Sequence, residues 1–389
     1  MKASDISVFV DPVTRHFLRN ELFNPESPHN FDDNLGAYIE LKQTLESQGV
    51  EVNTADYLIE GARRNRVNVY FSFGVMQNYR ALAQRKDVVL SSFFTTEAPI
   101  VQPSAYRSLP EISRFFRRIF CYTTPRALAR FGCADLTFTK LYIPYTYDSI
   151  VPDLWANEDR TLLCMVNANR LCRRSWQELY TERLRAVAYF AQFDEIDLYG
   201  FDWDKPAYVV GETWIPGTVQ RMYRAAQVKL PFLGRHPSMA GAQKAWRGEA
   251  KFKYHTQSRY TFTICYENMA LEGWLNENIF DCFRVGTIPI YLGPPDVHDY
   301  IPEECFIDKR RFDTYPELRK FLHSLSASDI RRYKAHGRDF MGSEKFKPFT
   351  REAFVNRFVR AIHDDTGVEL APAGTAQAVS EPLTASSKS

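Results

Sequence analysis

The sequence predicts an α/β protein of two domains built on parallel sheets, and three observations lead there. At 389 residues the chain is longer than one hydrophobic core usually supports. Short runs rich in β-branched and aromatic residues alternate with stretches of helical period, as in strand–crossover–strand units. One segment, 260–293, reads without interruption as strand, loop, helix and strand, the doubly wound pattern.

In chain order, 34–49 has apolar Leu35, Tyr38, Leu41 and Leu45 at steps of three and four and ends at Gly49, which predicts a helix. The runs VNVYFSF (67–73) and VVLSSFF (88–94) predict buried strands, with a helix between them over 75–84. Glu97 falls just past the second run, where ligands of parallel sheets sit; a solvated loop glutamate is the other reading. The basic and aromatic stretch 107–130 reads as a helix with one buried face, or as a surface for an anionic or membrane partner. KLYIPY (140–145) reads as a strand, and DLWANEDR (153–160) as the interdomain linker.

The second half opens with TLLCMVNANR (161–170), a strand that breaks into Asn167 and Asn169. A helix follows over 175–192, with Ser175 as N-cap, Glu178 at the capping-box spacing and Arg183 at the edge of the apolar stripe. EIDLYG (195–200) is a further strand. TFTICY then leads through a polar loop into ENIFDCFRVG, a helix with Gly286 as its terminating glycine, and into the strand TIPIYLG. A loop at a strand's carboxyl end beside a helix N-terminus suits a nucleotide phosphate, with Glu277 placed for ribose hydroxyls or simply for the helix dipole. No GxGxxG or GxxxxGK[ST] is present, so an ordinary dinucleotide site or P-loop is not expected. Asp202-Trp203-Asp204 spells a metal-type DxD, too short a pattern to carry weight, and no metal is expected.

Composition narrows the setting. With 45% hydrophobic, 25% charged and 14% aromatic residues, the chain is a soluble globular type. Its 49 basic and 47 acidic residues argue against a nucleic-acid binder. No run approaches the ~18–20 apolar residues of a membrane span, and the N-terminus has no secretory h-region. Seven scattered cysteines without a CxxC pair suggest reduced thiols in the cytoplasm.

The string YTFTICYENM…GWLNENIFDCF…GTIPIYLGP…DYIPEECFID resembles the donor-binding signature of the family 10 glycosyltransferases, the α-1,3/4-fucosyltransferase type. SFFTTEAPIVQPSAY, ELYTERLRAVAYF and DLYGFDW agree in order, so the resemblance runs from about residue 50 to 345. It implies a GT-B architecture: two Rossmann-like domains facing across a cleft. Residues 1–155 would bind the acceptor and carry the base, 156–345 would bind the donor, 346–366 would form a C-terminal helix region, and 367–389 a mobile tail.

The implied activity is inverting transfer of L-fucose from GDP-fucose, with no required cofactor, to a hydroxyl of a surface polysaccharide or lipopolysaccharide glycan, free or lipid-linked. Membrane contact would be at most peripheral, at the inner face, and no nucleic-acid partner is expected. Glu97 matches the catalytic base. Arg183, with Arg174 and Lys253, is implied for the diphosphate, and Glu267, Asn268, Asn276, Glu277 and Asn278 for the donor site. The family usually carries Thr-Glu-Lys where this chain has Asn276-Glu277-Asn278. Either another cation compensates, or the donor is a different nucleotide-linked sugar, or the protein is a weak or silent glycan- or nucleotide-binding relative.

Overall fold

The computed structural model describes residues 1–374 apart from 31–32, 75–77, 146, 148, 173–175, 211–216 and 230–238. Its first sheet holds β1 (Ile6–Asp11), β2 (Glu51–Thr54), β3 (Val67–Ser72), β4 (Val88–Phe94), β5 (Arg118–Cys121) and β6 (Thr139–Lys140). All run parallel, in the order β2-β1-β3-β4-β5-β6. The apolar runs at 67–73 and 88–94 are therefore central strands, covered on both faces, which is why they show no polar alternation.

The second sheet takes β7 (Thr161–Val166), β9 (Ile196–Tyr199), β11 (Tyr260–Tyr266), β12 (Ile288–Leu292) and β13 (Ile307–Asp308) in the parallel order β13-β12-β11-β7-β9. A two-stranded parallel ladder of β8 (Arg170–Cys172) and β10 (Tyr208–Val210) stands apart from both sheets. The Asn278–Val285 helix buries Ile279, Phe280 and Phe283 and ends, as its sequence predicts, at Gly286 in the left-handed region (φ +67°). Together the two sheets and their helices form a GT-B architecture.

Several elements differ from their predicted form. The stretch 107–130 is no single helix: the Pro103–Ile112 helix ends, Arg117 N bonds Leu90 O at 3.1 Å, and β5 begins. Part of it is taken up internally: Phe116 and Phe120 are buried, Arg117 and Arg118 pair with Asp365 at 3.0 and 2.9 Å, and Arg130 lies 4.2 Å from the Trp176 ring. Arg107, Arg114 and Arg126 are exposed. KLYIPY contributes only Lys140 to a strand, because Pro144 has no N–H to donate and Tyr145 crosses to the second domain, donating its hydroxyl to Asp281 at 2.9 Å. The run 161–170 is two strands, β7 and β8, around a polar corner. The helix expected over 175–192 spans Tyr180–Phe190, and Ser175 lies outside the described residues.

The chain returns to the first domain at its end. The Arg351–Thr366 helix, capped by Thr350 accepting from Ala353 N at 3.2 Å, inserts Phe354 and Phe358 against the first sheet. Phe94 stacks with Phe73, Phe120 and Phe358 at centroid distances of 4.4, 4.7 and 5.1 Å. Residues 368–374, assigned to a tail by composition, pack on the same domain. Val368 and Ala373 are buried, Ala371 N bonds Gln48 at 2.6 Å, and Ala373 N bonds Asn356 at 2.7 Å. Residues 375–389 lie outside the described residues.

Phe358→Ala removes a fully buried ring from this stack and should cost about 3–5 kcal/mol of first-domain stability, read as a lower urea midpoint with an unchanged slope.

Candidate functional site

The carboxyl ends of both sheets line one cleft of about 280 Å³. The first domain contributes Thr96 and Glu97 after β4, Tyr122 after β5 and Ile143 after β6. The second contributes Asn167 and Ala168 after β7, Arg170 of β8, Tyr180 and Arg183 of the following helix, and Asn268 with Trp274–Asn278 after β11. This is the position at which ligands of open parallel sheets bind. A larger groove, about 870 Å³ along the outer face of the C-terminal helix, contains none of the candidate residues.

Glu97 is held by its backbone, since the buried Tyr106 hydroxyl donates to its carbonyl at 2.6 Å and Ala98 behind it is fully buried. Its side chain opens into the cleft and is exposed there, with part of its hydration lost to the surrounding walls. That loss of water raises its pKa above the usual glutamate range; Arg170 pulls it back and Glu277 pushes it up.

Glu277 sits at the N-cap of the Asn278–Val285 helix with its carboxylate uncommitted to the helix. Asn276 Oδ1 takes that capping role instead, accepting from Asn278 N at 3.1 Å and from Asn278 Nδ2 at 2.6 Å. Four buried polar atoms on cleft-lining residues have no partner among the described residues: Thr96 Oγ1, Asn167 Oδ1, Tyr180 Oη and Trp274 Nε1. Buried polar atoms are rarely left unpaired, so a polar ligand is the natural complement of this cleft.

Other candidates stand around it. Arg183 is buried, and its Nε donates to Tyr266 O at 2.9 Å. Its Nη2 donates to the same carbonyl and, at 3.1 Å, to Asn268 Oδ1. Burial lowers its pKa. Glu267 lies beneath the cleft, 1% exposed, accepting from Asn276 N and the Tyr291 hydroxyl, each at 3.0 Å. Burial raises its pKa to about 7. Lys253 reaches the far side of the helix N-terminus, donating to Asn278 Oδ1 and, at 2.6 Å, to Asp281. Burial works against its charge, but Asp281 and Glu277 outweigh it and the pKa rises. Arg174 lies outside the described residues. Asp202 of the DxD pairs with Arg224 at 2.9 Å and Lys205 at 3.1 Å.

A second chamber, about 340 Å³, shares Thr96, Tyr122, Ile143 and Glu277 with the cleft and is walled by Tyr38, Tyr145, Tyr147, Tyr254 and Phe354. Glu277 therefore stands between a polar, cationic space and an aromatic one. Sequence reasoning missed Arg170 and Tyr180. The rule that singled out Glu97, a polar residue at a strand's carboxyl end, applies equally to the NANR corner.

Residues 221–351 match the family model described as glycosyltransferase family 10 (fucosyltransferase) C-term. An α-(1,4)-fucosyltransferase of Arabidopsis thaliana is 31% identical over 91 residues, 23% of each chain. The α-(1,3)-fucosyltransferase FucT of Helicobacter pylori is 35% identical over 77 residues, 19% of this chain and 16% of that one. The two relatives are matched over less than a quarter of their own length, and the family-model match does not include Glu97. The solved structure of Anabaena HepE with UDP and glucose covers 92% of this chain and 99% of its own, at 10% identity and TM-score 0.51, which shows the shared fold.

Glu267 carries a titration that can be checked apart from any ligand. Its folded-state pKa, about 7, is above the unfolded value near 4.5, so the folded protein binds the extra proton between them. Its contribution should favour the fold at low pH and be lost as pH rises through that window. Urea unfolding at pH 5 and 8 should show a smaller change for Glu267→Gln than for wild type.

Proposed function

We propose that this chain, whose residues 221–351 match the glycosyltransferase family 10 model, transfers L-fucose from GDP-fucose to a glycan hydroxyl with inversion. One observation carries the reading: a carboxylate of the first domain and the family-matched Asn276–Asn278 corner of the second face the same cleft. Glu97 takes the proton of the acceptor hydroxyl as its oxygen attacks C1 of the sugar, and the bond from C1 to the diphosphate breaks on the opposite side. The amides at the head of the Asn278 helix and a cation of the cleft serve the diphosphate. Glu277 binds the ribose, with the base in the aromatic chamber beyond it, and Glu267 holds Asn276 in place from below.

The seven thiols, all free, suit cytoplasmic work. The acceptor is a glycan of surface polysaccharide or lipopolysaccharide synthesis, free or lipid-linked, met at the inner face of the membrane. No described helix is long and apolar enough to cross that membrane. No metal or other cofactor enters this mechanism.

Transfer from GDP-fucose to a panel of glycan acceptors, read by mass, tests the reading. Glu97→Gln should reduce it by about 10²–10⁴-fold, the usual worth of a general base. Equal transfer by the variant ends the assignment, and activity with another sugar nucleotide alone ends the choice of donor. Since Glu97 titrates above the usual glutamate range, the rate should fall on the acid side with a midpoint above about pH 4.3.

The structure also favours one outcome for the missing family lysine. Asn278 Oδ1 already receives the Lys253 ammonium, so Asn278→Lys would set two cations together and remove the side-chain bond from residue 278 to Asn276. Its activity should fall, by about tenfold or more, in a kcat/KM assay.

A further inference from the structure

The cleft holds a guanidinium that no described residue uses. Arg170 is exposed at the start of β8 and neither donates a hydrogen bond nor forms an ion pair within the described structure. Its placement is nonetheless tightly fixed. Asn169, 2% exposed, donates from Nδ2 to Asp202 O at 3.0 Å and Lys205 O at 2.8 Å, and from its N–H to Phe201 O at 3.0 Å. Tyr208 N closes the loop on Asn169 O at 3.0 Å, and β10 runs beside β8 with Tyr208 opposite Arg170. Trp203 Nε1 ties Asn167 O at 2.6 Å. The Asp202 carboxylate, held by Lys205 and Arg224, steadies this brace from outside. An exposed arginine with ordinary surface duties does not need its neighbours clamped from two sides; one that must meet a ligand does.

The two arginines of the cleft are thus unlike. Arg183 spends Nε and Nη2 on Tyr266 O and Asn268, which fixes the loop leading to the Asn276 corner. Arg170 keeps all its donors. Its charge acts on Glu97 of the first domain and on Tyr180 and Arg183 of the second, which line the cleft with it.

We propose that Arg170 is the catalytic cation of this cleft, binding the phosphate oxygens of the departing nucleoside diphosphate, and that Arg183 is a positioning residue for the Tyr266–Asn268 loop. The assignment rests on the nucleotide-sugar reading above. In the step itself, the acceptor O–H proton passes to Glu97, the acceptor oxygen forms its bond to C1, and the electron pair of the broken C1–O bond stays on the diphosphate. The diphosphate gains one negative charge, and Arg170 is positioned to meet that charge as it forms. The same guanidinium favours the ionised form of Glu97, so a single side chain serves both ends of the displacement.

Arg170→Met and Arg170→Lys, compared with wild type, decide the matter. Calorimetric titration with GDP and with guanosine should show Arg170→Met weakening GDP by about 10–100-fold, one or two charge-assisted hydrogen bonds, with guanosine unchanged. Its kcat should fall further than its GDP affinity, and the acid limb of its rate profile should move to higher pH. Arg170→Lys should recover part of each, and the urea midpoint of both variants should stay at the wild-type value. Arg183→Met should lower that midpoint, its loss of activity following the loss of structure. GDP affinity and kcat within twofold of wild type in Arg170→Met, or an equal loss of guanosine binding, would overturn the proposal. Should wild type bind UDP and not GDP, the guanosine donor falls, and the same comparison with UDP and uridine decides the arginine by the same criteria.

Discussion

The cleft depends on a tie between the edge of the first sheet and the loop after β11 of the second domain, made by a half-buried ammonium. Lys140, the last residue of β6, donates to Tyr122 O on its own side and, at 2.8 Å, to Gly273 O on the other. Loss of water lowers its pKa to about 8 against the pull of Asp296, and the Tyr300 ring lies 4.7 Å away. A charge is placed in so dry a position only where carbonyls receive it well. Gly273 permits the approach: its backbone is left-handed (φ +72°), and a Cβ there would stand 2.5 Å from Tyr122 O and 2.7 Å from Lys140 Nζ. Asp296 accepts from Gly273 N at 2.9 Å and fixes the loop from behind, and Trp274 meets Tyr122 edge-on at 5.0 Å. Three residues beyond this contact the chain reaches Glu277. The separation of Glu97 from the donor corner is therefore set by a short, dry bridge and not by the long linker.

The C-terminal helix supplies the other half of that rigidity. By placing Phe354 and Phe358 on the face of β4, it stiffens the strand that ends in Glu97, and Phe354 then forms a wall of the aromatic chamber. A chain that begins and ends in the first domain and spends its middle in the second has two crossings. Relative motion of the domains is then confined to what both crossings allow. For a reaction that needs a base and a donor within hydrogen-bond reach, that confinement is an advantage.

Legibility in the sequence followed the physics of burial. VVLSSFF and TFTICY are central parallel strands, apolar on both faces, so composition alone revealed them. The 278–285 helix announced itself through its apolar stripe and its terminal glycine. The corner at Asn276–Asn278 was visible because one local segment builds it. What failed was whatever depends on a distant partner. KLYIPY is apolar because its tyrosines pack across to the second domain, not because it forms a strand. The pairing of Arg117 and Arg118 was hidden because their carboxylates, Asp364 and Asp365, lie 246–248 residues away. Arg170 is the same failure reversed: that its guanidinium bonds no described residue is apparent only in the folded cleft.

The charge pattern of the cleft gives these placements a common logic. Glu277 raises the proton affinity of Glu97 across the cleft and of Glu267 through its floor. Cations stand at both ends: Arg170 by the base, Arg183 under the loop, and Lys253 behind the helix N-terminus, bonded to Asn278 and Asp281. Lys253 delivers its charge through the asparagine side chain, so a neutral residue occupies the surface while the cation sits one hydrogen bond deeper. A lysine at 278 would duplicate that charge and lose the side-chain bond to Asn276. Asn276, Asn278 and Lys253 are thus mutually dependent, and none can be read alone.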